Sequence, residues 1–265
     1  MPLTSANIIE TSKRNDSTSR LDLAKTQAEF SKGLVFRSRR IRLEVEIQNA
    51  LRKLFGYEPV SLPPNWVIVP NFIRAFDESE LSLTAMAALT DKYSDPKEIY
   101  LDFMRHQDDQ VRRQAHVNYL QESTSLVKRI QTRRLLFANY GKDLRQRAYS
   151  VNLFLEHQNL IIKSLVGLGH TFYEMEELGS DVFINFFENI PTLNVEVKLA
   201  VGREAQTGIL KTNDLGDFEN FSTATPYSTI IVAEKNFVAL AKQTKLDEVY
   251  NIKLYTKLED FFISR

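Results

Sequence analysis

Apolar and polar positions recur at helical spacing over most of the first 55 residues. Thr4 or Ser5 can cap a first helix, because a hydroxyl at this position accepts a hydrogen bond from the first turn. A second helix is expected to stop at Gly33, and a third is predicted between Arg42 and Phe55. No segment before the first helix is predicted to form a strand.

The middle of the chain is divided by proline. Four prolines confine residues 56–72 to extended or turn structure, with Trp66–Val69 as a short edge strand. No proline occurs between residues 96 and 191, and the pattern there predicts two or three long helices. The helices are expected to break near Asn139–Gly141 and Gly167–Gly169, where glycine favours a turn.

The last third of the chain has a mixed pattern. A helix is predicted near Val195–Ala205, and the apolar run Ile230–Ala233 is typical of a buried strand. Phe237–Lys245 is helical in pattern, and the apolar alternation Ile252–Tyr255 predicts a second strand. This strand, helix and strand together predict a parallel crossover unit.

Composition narrows the class of protein. The chain has 265 residues, of which 43% are hydrophobic and 26% charged, so one large or two small globular domains are expected. With no cysteine, disulfides, thiol nucleophiles, zinc knuckles and iron–sulfur sites are excluded, and an intracellular compartment is favoured. No apolar stretch reaches the ~20 residues of a membrane span, so we predict a cytoplasmic protein with no membrane partner.

Charge is balanced overall but unevenly distributed. Lysine and arginine number 34, as do aspartate and glutamate. Residues 105–147 carry ten basic and four acidic side chains, whereas residues 171–221 carry three basic and ten acidic ones. Such a distribution suits a metal-dependent nuclease, in which cations hold phosphates and carboxylates hold the metal. It is also common on the solvated faces of ordinary helices.

Asp214 and Asp217 are the main candidates for chemistry. They stand three residues apart at a predicted helix start that Asn213 can cap, so they share one helix face. Two carboxylates on one face can bind a hard cation such as Mg²⁺ or Mn²⁺. Acidic residues in a first turn also interact favourably with the helix dipole and need no metal for that role.

Two further carboxylates are candidates by position. Glu234 follows the strand Ile230–Ala233, at the end where open parallel sheets bind ligands, although it can equally pair with Lys235 at the surface. Glu10 lies on the first helix and by itself is typical of a surface residue.

Several common site types find no support. The four histidines lack the spacing of a metal motif, and we interpret them as structural or surface residues. Glycine-rich dinucleotide, P-loop and serine-hydrolase motifs are absent from the sequence.

Four stretches together resemble a known family. Thr212–Asp217, Thr225–Phe237 and Lys245–Asn251 are similar to the C-terminal part of bacterial PIN-like nuclease domains. The start, Pro2–Glu10, resembles that family's second strand and the helix that carries an acidic ligand. The likeness covers roughly the first 55 and last 75 residues.

The resemblance implies an α/β fold, a PIN-like three-layer α/β/α sandwich with a parallel sheet. It would form a single domain over residues 1–265, with residues 94–170 as a large helical insertion. The family uses Mg²⁺ or Mn²⁺ to activate water and cut phosphodiesters, usually in RNA, and many members are toxins or defence effectors. Carried over by position, the metal ligands would be Glu10, Asp214, Asp217 and Glu234, the last three being catalytic.

The same hypothesis assigns partners. Basic residues would hold RNA phosphates through salt-sensitive contacts, and the candidates are Arg39, Arg40, Arg112, Arg113, Arg133 and Arg134. An antitoxin or other protein partner and a homo-oligomer are also expected for a chain of this type.

The sequence departs from the family pattern in two places. The family's chain normally begins with a central strand that ends in an aspartate, and this sequence starts downstream of it, through truncation or loss of the strand. Ser228 and Thr229 stand where the family often has an aspartate. These departures leave two alternatives open: an inactive module of the same fold that recognises RNA or a protein, and a protein whose helical middle is the working part.

Overall fold

The structure is a computed structural model that describes residues 1–76, 94–106, 139–205 and 214–263, with isolated positions between 117 and 137. The chain divides into two compact units, each assembled from separate chain segments. The first unit comprises Met1–Ile41, Pro64–Lys128 and Leu210–Thr223. The second comprises Arg42–Pro63, Arg129–Ile209 and Ala224–Arg265.

Helices dominate both units, and the strands are three residues long. The helices, numbered along the described chain, are α1 (Ser5–Ser12), α2 (Ser17–Ser31), α3 (Arg39–Leu54), α4 (Pro96–His106), α5 (Lys142–Gly167), α6 (Phe172–Glu177), α7 (Ser180–Glu188), α8 (Pro191–Ala205), α9 (Asp214–Ala224), α10 (Lys235–Gln243), α11 (Leu246–Val249) and α12 (Leu258–Ile263). The strands are β1 (Leu34–Phe36), β2 (Ile68–Pro70), β3 (Ile230–Val232) and β4 (Lys253–Tyr255). Short 3₁₀ turns cover Phe72–Ala75 and Thr225–Tyr227.

The predicted helix ends in the first part of the chain are confirmed. Thr4 caps α1, and its side chain and that of Asn7 form a reciprocal capping box. Helix α2 ends at Ser31 and is followed by Lys32 and Gly33 in the left-handed conformation. These ends follow from local hydrogen bonding, which is why the sequence pattern was sufficient to predict them.

The first unit has a core formed mainly by α1, α2 and α4. Its buried residues include Ile8, Ala24, Phe72, Tyr100 and Met104. Antiparallel strands β1 and β2 pair beside this core, with Val35 opposite Val69.

The prediction that no strand precedes α1 was wrong at one residue. Leu3 forms an isolated parallel bridge with Val35. Its N–H donates to the Leu34 carbonyl, and its carbonyl accepts from Phe36. The side chain of Leu3 is almost fully buried. Burial of this one residue was enough to add a bridge to β1, although the sequence before α1 has no alternation of apolar and polar residues that would predict a strand.

The second unit contains the predicted crossover, which is confirmed. Strands β3 and β4 pair in parallel, with Ile231 opposite Leu254, and α10 connects them. Helix α10 packs against α8, where Gly202 allows close approach to Leu240.

The predicted fold class was wrong. In the described part of the chain, two separate two-stranded sheets occur, one antiparallel and one parallel, rather than one continuous parallel sheet between helical layers. Strand β3 has Ile231 buried but Ile230 and Val232 exposed, so it is not the doubly covered strand that its apolar run predicted. The apolar run correctly predicted a strand. An apolar run does not, however, determine how many strands join the sheet.

Candidate functional site

Helices α1 and α9 meet in the first unit, although their residues are more than 200 positions apart. The Thr4 hydroxyl is hydrogen-bonded to the Asn220 side chain, 216 residues later. The Ser5 hydroxyl donates to the Glu219 carboxylate, 214 residues later. The start of α1 therefore lies against the middle of α9 within the first unit.

The predicted carboxylates fall into two groups. Glu10 is half-buried on α1, and Asp217 is half-buried on α9. Helix α9 begins at Asp214, whose side chain lies outside the described residues, as does Asn213. Glu234 is exposed and precedes α10 in the second unit, so the structure does not assign it to the group on α1 and α9.

The grouping of possible metal ligands can be stated for the described side chains. Among the side chains that the structure describes, which exclude that of Asp214, no group of three histidine, aspartate or glutamate residues could hold a metal ion.

The predicted phosphate-binding arginines are described in part. Arg39 and Arg40 lie in the first turn of α3, half-buried and exposed respectively, and both make contacts within the protein. Arg112, Arg113 and Arg134 lie outside the described residues.

The guanidinium of Arg133 lies 4.0 Å from the ring centroid of Tyr149, a cation–π contact that uses one face of its planar group. The Tyr149 hydroxyl donates to the Glu204 carboxylate on α8, and both residues are buried. Burial and the nearby Glu204 charge raise the pKa of Tyr149, with burial the larger cause. Arg133 is therefore part of a packed cluster in the second unit.

A second buried cluster in this unit was not predicted from the sequence. Glu46 on α3 accepts hydrogen bonds from the Thr192 N–H at 2.8 Å and from the Thr192 hydroxyl at 2.7 Å. The Tyr227 hydroxyl also donates to Glu46, and the Arg42 guanidinium donates to the Thr192 hydroxyl at 3.0 Å. Every member is a polar group held by partners from another segment.

Burial raises the pKa of Glu46, although its hydrogen bonds and the Arg42 charge oppose the increase. Burial also raises the pKa of Tyr227, followed in effect by the Glu46 charge. The signals available in the sequence were the spacing of Arg42 and Glu46, one helical turn apart, and the Pro191–Thr192 helix start. Neither signal identifies the partner, because the contacts span 146 and 181 residues.

Comparisons with known proteins identify no relative of this chain. No protein-family model matches the sequence, and no curated protein or solved structure is significantly similar to it. Within the described residues, every helix is too short or too polar to cross a membrane.

Proposed function

We propose that this protein hydrolyses RNA with the carboxylates that α1 and α9 carry in the first unit. The observation that carries the proposal is the pair of contacts from Thr4 and Ser5 to Asn220 and Glu219. They place the helix of Glu10 beside the helix of Asp214 and Asp217, as expected if these distant carboxylates act together. The proposal does not depend on a PIN-like sandwich, and Glu234 is not part of it.

The chemistry of these side chains is compatible with phosphodiester hydrolysis. Carboxylates can accept a proton from an attacking water, and they are the oxygen ligands that hard cations require. The close approach of several carboxylates is itself costly unless a cation or proton offsets the repulsion. A bound divalent cation would offset this repulsion.

A second candidate function is an inactive module that binds RNA or a protein. One observation favours it: the described side chains contain no group of three metal ligands. If this candidate is correct, the acidic residues on α9 act only in helix dipole interactions and in contacts such as Ser5 with Glu219.

Cleavage assays can separate the two candidates. The purified 265-residue chain would be incubated with a mixed RNA substrate and Mn²⁺, with an EDTA control for contaminating activity. The variants would be Asp214→Asn, Asp217→Asn and Glu10→Gln. A matched control is Asp181→Asn, because Asp181 is an exposed aspartate in the first turn of α7.

The hydrolase proposal predicts a rate loss of ~100-fold or more in Asp214→Asn and Asp217→Asn, and an unchanged rate in Asp181→Asn. Equal cleavage by all variants would contradict the proposed site. No cleavage by the wild type, together with salt-sensitive RNA binding or protein capture, would favour the binding module.

A further inference from the structure

His170 lies at the corner between α5 and α6 and contacts the segment that follows α3. Its ring stacks on the ring of Phe55, with the two centroids 3.8 Å apart and the two planes within 14° of parallel. The Tyr57 hydroxyl is hydrogen-bonded to Nε2 of His170 at 3.1 Å. One imidazole therefore joins residues 55–57 to this corner, and all of these residues belong to the second unit.

The other ring nitrogen of His170 faces a carboxylate. Nδ1 lies 3.4 Å from Oε2 of Glu174, yet it is buried and has no hydrogen-bond partner among the described residues. The attraction between these two atoms is therefore electrostatic, and it is strong only when both nitrogens of the imidazole carry a proton. The protonated ring also gains a cation–π interaction with the face of Phe55.

Glu174 keeps its charge at mildly acidic pH. Its Oε2 accepts hydrogen bonds from the Thr171 N–H at 2.6 Å and from the Thr171 hydroxyl at 3.1 Å. These hydrogen bonds, and to a smaller extent the His170 charge, lower the pKa of Glu174. The carboxylate is therefore ionised over the range in which an imidazole changes charge, about pH 5 to 8.

The other charges near His170 act in both directions. Its N–H donates to a carbonyl in the last turn of α5, a negative helix end that favours a cation, whereas the start of α6 disfavours one. At the end of α3, the Arg52 guanidinium lies 6.0 Å from the Tyr57 ring centroid, and Lys53 donates to the Asn189 side chain at 2.6 Å. In the described part of the chain, the carboxylate on α6 is the one charged group within ion-pair distance of the imidazole.

We propose that His170 is a pH-sensitive latch, which holds residues 55–57 against the corner of α5 and α6 when its imidazole is protonated and releases them more readily when the imidazole is neutral. Loss of the proton removes the attraction to Glu174, so the ring stack and the Tyr57 hydrogen bond alone hold the segment. The change is a local opening of residues 55–57 rather than unfolding of the unit. This proposal is independent of the hydrolase function.

Amide hydrogen exchange tests the latch at the segment that it holds. The Phe55 N–H donates to the Leu51 carbonyl at 3.0 Å and the Tyr57 N–H donates to the Arg52 carbonyl at 2.7 Å, so both amides report local opening. After correction for the intrinsic exchange rate, we expect protection of these amides in the wild type to be about threefold higher at about pH 5 than at about pH 8. Equal protection at the two pH values would overturn the proposal.

The variant Glu174→Gln separates the charge of this residue from its role in the helix cap. Glutamine at this position can still complete the capping box with Thr171, so α6 keeps its first turn. We expect protection of residues 55 and 57 to lose its pH dependence in Glu174→Gln and in His170→Gln. The matched control is Glu177→Gln, because Glu177 is an exposed glutamate on the same helix, and this variant should keep the wild-type pH dependence.

A second control addresses the other histidine that the structure pairs with a glutamate. Nε2 of His157 lies 3.7 Å from Oε1 of Glu156 on α5, and His157→Gln should keep the wild-type pH dependence at residues 55 and 57. A pH dependence that persists in Glu174→Gln, or one that is lost equally in either control variant, would overturn the proposal.

Discussion

Glu46 accepts two hydrogen bonds from Thr192, one from its backbone N–H and one from its hydroxyl. Thr192 is the second residue of α8, so the carboxylate satisfies a donor that the helix itself leaves unpaired. The negative charge also interacts favourably with the helix N-terminus. This pair connects two segments of the second unit, α3 and α8, through a buried polar contact.

Replacing Glu46 with glutamine should change how stability depends on pH. Because burial raises the pKa of Glu46 above its ordinary value of 4.5, the folded protein binds a proton at pH values where the unfolded chain has released it. The contribution of Glu46 to stability is therefore greatest below the unfolded pKa and falls as pH rises through the folded pKa. We expect a flatter pH dependence for Glu46→Gln above pH 4.5, measured as the free energy of unfolding in urea. Identical slopes for both proteins would show that Glu46 does not titrate in this way.

Tyr149→Phe should destabilise the second unit. The substitution removes the hydroxyl that donates to the buried Glu204 carboxylate, and a lost donor to a buried charge costs about 1–3 kcal/mol. Tyr173→Phe is a suitable control because Tyr173 is 65% exposed. Thermal unfolding of the two variants should differ clearly, and equal midpoints would argue against the importance of the Tyr149–Glu204 hydrogen bond.

Gly33→Ala and Gly56→Ala should separate close packing from backbone strain. Both glycines have positive φ, +72° and +75°, so alanine is strained by about 1–2 kcal/mol at either position. At Gly33 the added Cβ would also lie 2.6 Å from the Pro96 Cβ at the start of α4, whereas nothing lies within 4 Å at Gly56. Denaturant unfolding should therefore show the larger loss for Gly33→Ala. A loss at Gly56 that matches or exceeds it would contradict the close approach of α2 and α4.

Arg20→Leu should weaken the first unit. The buried Arg20 guanidinium donates to the Met104 carbonyl at 3.0 Å and to the Arg14 carbonyl at 2.7 Å. Met104 lies in the last turn of α4, where a positive charge is favourable. We expect a loss of about 2 kcal/mol or more in the free energy of unfolding. The exposed Lys25→Leu provides a control on the same helix, and an equal effect there would refute a specific role for Arg20.

The candidate site shows which features a local sequence pattern can predict and which it cannot. Asp214 and Asp217 lie on one helix, α9, as their spacing predicted. The contacts of α9 with Thr4 and Ser5 join segments that are more than 200 residues apart, and local patterns do not reveal such contacts. Glu234 was grouped with them by the family resemblance; it follows β3 in the second unit, and the grouping stays a prediction. Position after a strand does not specify which elements surround that strand.

The sequence by itself determined the local elements of this protein. The cap at Thr4, the left-handed end of α2 and the crossover from β3 through α10 to β4 depend on neighbouring residues and on short periodicities. Only the tertiary structure decided that the strands form two separate sheets and that Glu46 meets Thr192 and Tyr227. The physical reason is the separation along the chain of the residues that interact. Helix caps form within a few residues, whereas sheet membership and buried polar pairs depend on packing between distant segments.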